Sequence, residues 1–203
     1  MRVEILVEEL SAKAALQVLL PQLLPAGCTF RFVVFNGCQD LLGQMKQVLT
    51  GYANRITKQG QADLRVVVLL DADAKCVDRK RALEAEAAAA GLITKTTAGA
   101  GARFYVLNRI AVNELEAWLL GDRAAIQAAY PRIHPPHFKG MERNPDIMLK
   151  SSAELLNLLR KGGYFMAGKQ KQRWAADIAA KMDIRHNTST SFRCFCAGLA
   201  ALR

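Results

Sequence analysis

Leu64–Asp73 reads LRVVVLLDAD. From Leu64 to Leu70 the residues are apolar apart from Arg65, with β-branched valines at 66–68 and no alternation of apolar and polar positions. A strand with one face in water alternates; one that does not is expected to be buried on both faces. Burial on both faces calls for a covering layer on each side, the arrangement of an α/β fold with a parallel sheet. Asp71-Ala72-Asp73 then ends the apolar run with two carboxylates.

The flanking sequence fits that frame. Arg2–Val7 (RVEILV) is a short β-rich run, Thr29–Phe35 (TFRFVVF) a second strand ended by Asn36-Gly37, and Phe104–Val112 (FYVLNRIAV) a fourth. Helical spacing lies between them. Ser11–Leu20 sets Ala15, Leu16, Leu19 and Leu20 on one side, with Pro21 expected to close the helix. Asp40 to about Ile56 is amphipathic, and Val77–Ala90 is an Ala- and Glu-rich helix ended by Gly91. Asn113 is expected to cap a helix starting at Glu114. Strand–helix alternation implies right-handed βαβ units. The remainder differs: Tyr130–Lys150 reads as a long connection, and Ser151–Arg160, Lys169–Met182 and Phe192–Leu202 as three helices. The expected organisation is an α/β domain over residues 1–125 and a helical, basic extension over 126–203 packed on it. The boundary is soft, near Asp122–Tyr130.

Composition narrows the class. Of 203 residues, 51% are hydrophobic and 23% charged, which is globular and not disordered. No apolar run reaches the roughly 18 residues of a membrane span. MRVEILVEEL places carboxylates inside its apolar stretch, so no secretory signal is expected. Five cysteines without framework spacing suggest reduced thiols, and a cytoplasmic location is expected. The net charge of +10 is uneven: +2 over residues 1–120 and +8 over residues 121–203. A basic C-terminal part suggests a polyanionic partner, nucleic acid first, with a solvated helical surface as the plainer alternative.

Ligands of an open parallel sheet bind beyond the carboxyl ends of its strands. The first strand ends in Glu8 and Glu9, the third in Asp71 and Asp73, and the fourth runs into Glu114-Leu115-Glu116. A single carboxylate after a strand often only caps the next helix. Carboxylates at three strand ends repel one another when brought together, and a divalent cation resolves that repulsion. Hard oxygen ligands favour Mg²⁺ or Mn²⁺ over Zn²⁺. Glu114 and Glu116 lie about 200° apart on a regular helix. Both cannot face one site, and Glu116 is the preferred member, with Glu114 second. Basic and aromatic residues interleave from Arg160 to Trp174; Lys169, Lys171 and Arg173 are the candidate phosphate contacts, while Trp174 and Ile178 fit a core face. Weaker signals are His134-Pro135-Pro136-His137 as a zinc site and Cys194-Phe195-Cys196 beside it.

A glutamate after the first strand with Asp-x-Asp after a later apolar strand resembles the TOPRIM fold of topoisomerases, primases and the overcoming-lysogenization-defect nucleases. That nuclease branch often opens with V-E-G-x-S/T-E. Here the stretch is Val7-Glu8-Glu9-Leu10-Ser11-Ala12, so Glu8 matches the metal-site glutamate, Glu9 stands for the glycine and Ala12 for the second glutamate. Taken whole, the chain is similar to an uncharacterised bacterial TOPRIM-like family often encoded beside an AAA-type ATPase, through VVVLLDAD (Val66–Asp73), RIAVNELEAWLLGD (Arg109–Asp122) and TSFR (Thr190–Arg193). The resemblance implies a TOPRIM-like sheet and a Mg²⁺-dependent nuclease acting on DNA or RNA with an ATPase partner in a defence-type system. Glu8, Asp71, Asp73 and Glu116 would be the metal and catalytic residues. The other expectation is a non-catalytic adaptor of the ATPase that keeps the fold. A glycosyltransferase-like Asp-x-Asp site is a remote third.

Overall fold

The computed structural model describes residues 1–72, 75–99 and 101–202. Four strands, β1 (Arg2–Val7), β2 (Thr29–Val34), β3 (Leu64–Asp71) and β4 (Val106–Ala111), form one parallel sheet in the order β2-β1-β3-β4. The helices flanking it are α1 (Leu10–Leu23), α2 (Cys38–Thr57), α3 (Cys76–Ala89), α4 (Glu116–Leu120), α5 (Arg123–Ala129), α6 (Ser151–Lys161), α7 (Lys171–Ala179) and α8 (Thr190–Ala200). No helix among the described residues is long and apolar enough to cross a membrane.

All eight residues of β3 are buried, as its unbroken apolar run requires. Side chains alternate along each strand, and the two sheet faces feed separate cores. Val3, Ile5, Val7, Val67, Leu69, Leu107 and Ala111 pack with α1 and the helices after β4. Leu6, Val66, Val68, Leu70, Val106 and Ile110 pack under α2 and α3. Each fully buried Leu or Val contributes roughly 1.5–3 kcal/mol relative to exposure. The chain leaves β1 towards β2, then α2 recrosses the sheet to place β3 on the other side of β1. The winding direction therefore reverses between β1 and β3, and a crevice opens at their carboxyl ends.

The first core also takes Trp118, Trp174, Phe192 and Phe195. Trp118 stacks at 5.3 Å from Phe192 and 4.9 Å from Phe195. Its Nε1 donates to Ser191 Oγ at 2.8 Å. Residues on both sides of position 125 thus share one hydrophobic cluster. Asp146 ties this region together: it accepts from Ser189 Oγ (2.7 Å), Ser191 N (2.7 Å) and Ser191 Oγ (3.1 Å).

Three local expectations change. Pro21 does not close α1, which continues to Leu23. Pro21 is exposed and one turn from the end, and its missing N–H frees only the carbonyl of exposed Gln17. Asn113 is not a helix cap. It adopts a left-handed conformation (φ 64°) and its Nδ2 donates to the Asp146 carbonyl at 2.7 Å, so α4 starts only at Glu116. Arg123–Ala129, inside the expected boundary zone, is a helix whose N-terminus is capped by Asp122 Oδ1 accepting from Ala125 N at 2.9 Å.

Candidate metal centre at the sheet edge

β1 and β3 are in parallel register, with Val7 opposite Leu69. Both side chains face the core that holds α1 and the later helices. Two residues further on, the period of two returns Glu9 and Asp71 to that same side. Glu9 is the extended residue before α1 (φ −148°, ψ 164°), and Asp71 is the last residue of β3. Glu116 comes from the first turn of α4, which the Val112–Leu115 segment swings back over the sheet edge.

One carboxylate oxygen from each of Glu9, Asp71 and Glu116 lies within 4.8 Å of the others. This is the one grouping of three or more metal-ligating side chains among the described residues. Glu116 is fully buried, and neither of its oxygens accepts a hydrogen bond. Glu9 accepts from Ser11 Oγ. Lys171, the first residue of α7, sits among the acids: its Nζ is 3.2 Å from Glu9 Oε1 and 3.5 Å from Glu116 Oε1.

Electrostatics follow from that crowding. Burial, then the charges of Glu8, Glu116 and Glu9, push the Asp71 carboxyl well above its ordinary range. Burial likewise raises Glu116, with Lys171 opposing the shift. Burial works against charge on Lys171, yet Glu116 and Glu9 outweigh it and hold the ammonium above its usual value. With its carboxylates ionised, a cluster of three acids and one ammonium carries excess negative charge in a largely buried place, and the raised Asp71 and Glu116 express that cost. Oxygen donors at this spacing fit a hard divalent ion such as Mg²⁺ or Mn²⁺.

The sequence candidates fall as follows. Asp71 and Glu116 come together. Glu8 is buried and adjacent, the foremost charge acting on Asp71, but Glu9 is the glutamate that completes the group of three. Asp73 lies outside the described residues. Glu114 turns away and holds the start of α6, accepting from Ser152 N (2.6 Å) and Ser152 Oγ (2.8 Å). Of the basic residues, Lys169 and Arg173 are exposed. Lys169 donates to Ser152 Oγ at 3.1 Å, and Arg173 lies over the Phe165 ring at 5.7 Å. Lys171, read from the sequence as a phosphate contact, is instead half-buried in the acidic cluster. Its membership has no local signal, because α7 reaches the site by packing along α1 and against α4 and α5, all distant in sequence. His137 Nδ1 accepts from His134 N (3.2 Å), closing its own turn.

A cleft of about 710 Å³ opens beside the cluster, lined by Glu8, Glu9, Ser11, Asn36, Gly37 and Lys171 among others. A second cavity of about 500 Å³, more apolar, lies between α3, β4 and α8, with Asp146 but none of the clustered acids in its lining. The first cleft is the one that adjoins the grouped carboxylates.

A family model described as a domain of unknown function, DUF4276, matches residues 7–200. The chain belongs to this family. The match takes in all four site residues, Glu9, Asp71, Glu116 and Lys171, and runs without a break from β1 into α8. No curated protein and no solved structure matches the chain.

Proposed function

We propose that this DUF4276 protein is a Mg²⁺- or Mn²⁺-dependent phosphodiester hydrolase of the TOPRIM type acting on nucleic acid, working with an AAA-type ATPase. One observation carries the reading. Three carboxylates from three separate elements converge at the reversal point of a parallel sheet, with the buried Glu116 carboxylate accepting no hydrogen bond. A fully buried carboxylate without hydrogen bonds costs several kcal/mol unless a cation compensates it, and one ammonium does not balance three acids.

Glu9, Asp71 and Glu116 would hold the ion, with Glu8 beside them. Bound there, a divalent ion would lower the pKa of a coordinated water and polarise a phosphoryl oxygen. The chain's own part is to orient and to exclude. Val7 and Leu69 are buried in the core two residues before Glu9 and Asp71, and Leu115 and Trp118 are buried on either side of Glu116 along the chain. Exposed Lys169 and Arg173 stand on the same α7 end as Lys171 and supply positive charge for a phosphate backbone.

The test is cleavage of single- and double-stranded DNA and RNA with Mg²⁺ or Mn²⁺, alone and with the ATPase. The wild type cuts, and Asp71→Asn and Glu116→Gln do not. Replacing Lys169 and Arg173 by Ala flattens the log-affinity against log-salt slope by up to about 2 on double-stranded DNA. No cleavage of any substrate with the ATPase present sinks the hydrolase reading. The adaptor reading then stands, favoured by the ion pairs through which Lys171 partly neutralises the acids.

A further inference from the structure

We infer that Lys171 is a built-in counter-cation that competes with a divalent ion for the acidic cluster, so that the position of α7 and metal occupancy oppose one another. The inference rests on the metal-site reading above and adds its regulation.

Its Nζ lies 3.2 Å from Glu9 and 3.5 Å from Glu116, two of the three carboxylates grouped for an ion. Glu116 gives this contact no hydrogen-bond geometry, so the pair is charge against charge in a buried place. The ammonium side chain is only 28% exposed and does not simply trail in solvent. An ion drawn in by the same oxygens meets a positive charge a few ångströms away. Like charges at such separations repel appreciably even at high effective dielectric. Lys171 therefore stabilises the metal-free cluster and weakens metal binding through one and the same contact.

The arrangement has a mechanical side. Lys171 is the first residue of α7, and α7 packs along α1, whose own N-terminal side carries Glu9. Pulling Nζ away from the acids loosens only the exposed start of α7, since Trp174, Ala175 and Ile178 keep the rest of the helix in the core. Any polyanion that draws on Lys171 together with exposed Lys169 and Arg173 would thereby favour metal entry, and by linkage the metal would favour the polyanion.

The experiment titrates Mn²⁺ alone into the 203-residue protein by calorimetry and by the loss of its free-ion electron paramagnetic resonance signal. It compares wild type, Lys171→Met, Lys171→Gln and Lys171→Arg, with circular dichroism confirming that each is folded. The two neutral variants should bind Mn²⁺ at least tenfold more tightly than wild type while melting lower in EDTA. Lys171→Arg should keep wild-type affinity. A general loss of structure would weaken Mn²⁺ binding, so tightening in a less stable protein is a result that a packing role does not produce. Wild type that binds Mn²⁺ with neutral variants equal or weaker overturns the inference and leaves the metal site standing. Binding by the neutral variants alone supports the inference and shows that Lys171 holds the wild-type site against the ion. Binding by none of the four overturns both.

Discussion

Asp71→Asn keeps the shape of a site residue and removes its charge. One Asp71 oxygen lies within 4.8 Å of an oxygen from each of Glu9 and Glu116. Two unit charges at that separation repel by about 3.5 kcal/mol at an effective dielectric of about 20. Attraction to Lys171 and the lost hydration of Asp71 change the balance, so a net gain of about 1–3 kcal/mol is expected for the metal-free protein. In a chain of this length each kcal/mol moves Tm by roughly 2–4 °C, so the variant should melt roughly 2–12 °C higher in EDTA. The pH dependence carries a definite sign. Asp71 has a raised pKa in the folded state. Its contribution to stability is whole below its ordinary value of 3.8 and is lost as pH rises through the folded value. Asn has no such loss, so the gap between variant and wild type should widen from acid to neutral pH. Thermal melts at pH 5 and pH 8, in EDTA and then in millimolar Mn²⁺, read both effects. Mn²⁺ should stabilise the wild type and leave the variant unmoved. A variant less stable than wild type in EDTA at pH 8 refutes the claim that the acids are strained by one another.

Other expectations are independent of the metal. Asp146→Ala removes the acceptor of three hydrogen bonds from Ser189 and Ser191 and leaves Ser191 N buried, so denaturant unfolding should show a loss of about 2–4 kcal/mol. Gly121→Ala would put a Cβ 2.2 Å from Asn187 Oδ1, an atom held in place by donation from Ser189 N, and should cost about 1–3 kcal/mol in the same assay. Burial tends to raise Glu84, but hydrogen bonds from Lys80, Thr94 and Asn108 outweigh it and depress its pKa. Its stabilisation is present above the ordinary value of 4.5 and is lost as pH falls through the folded value, so Lys80→Ala should show a smaller acid-induced loss than wild type.

The α/β architecture was readable because β3 carries no polar alternation, and a strand so composed has few places to go. All four strands lie where the apolar runs fall, with ends moved by a residue or two. What misread was short-range chemistry settled by distant partners. Asn113 looks like a cap until Asp146, far along the chain, takes its side chain. Pro21 looks like a stop until the exposure of Gln17 makes the missing hydrogen bond cheap.

The site divides in the same way. Asp71 and Glu116 were legible from their places at the end of β3 and after β4, whereas Glu114 is separated from Glu116 not by a helical angle, since it precedes α4, but by its hydrogen bonds to Ser152. The choice between Glu8 and Glu9 turns on parity: Val7 and Leu69 are register partners on one face, and only even steps from them point at α4 and α7. That parity was present in the residues, but a family-style motif centred on Glu8 pointed the other way. Lys171 was beyond sequence reasoning, since its place depends on how α7 packs against α1.

The most direct test is the anomalous difference map of a crystal grown with Mn²⁺ and measured on the long-wavelength side and the short-wavelength side of the manganese edge. A divalent ion held by Glu9, Asp71 and Glu116 predicts a peak between their carboxylates, present only above the edge energy, with oxygens from these residues at bonding distance. A map without a peak there at millimolar Mn²⁺ in wild type and Lys171→Met alike, or with manganese only at exposed surface carboxylates in both, contradicts the metal centre and the chemistry built on it.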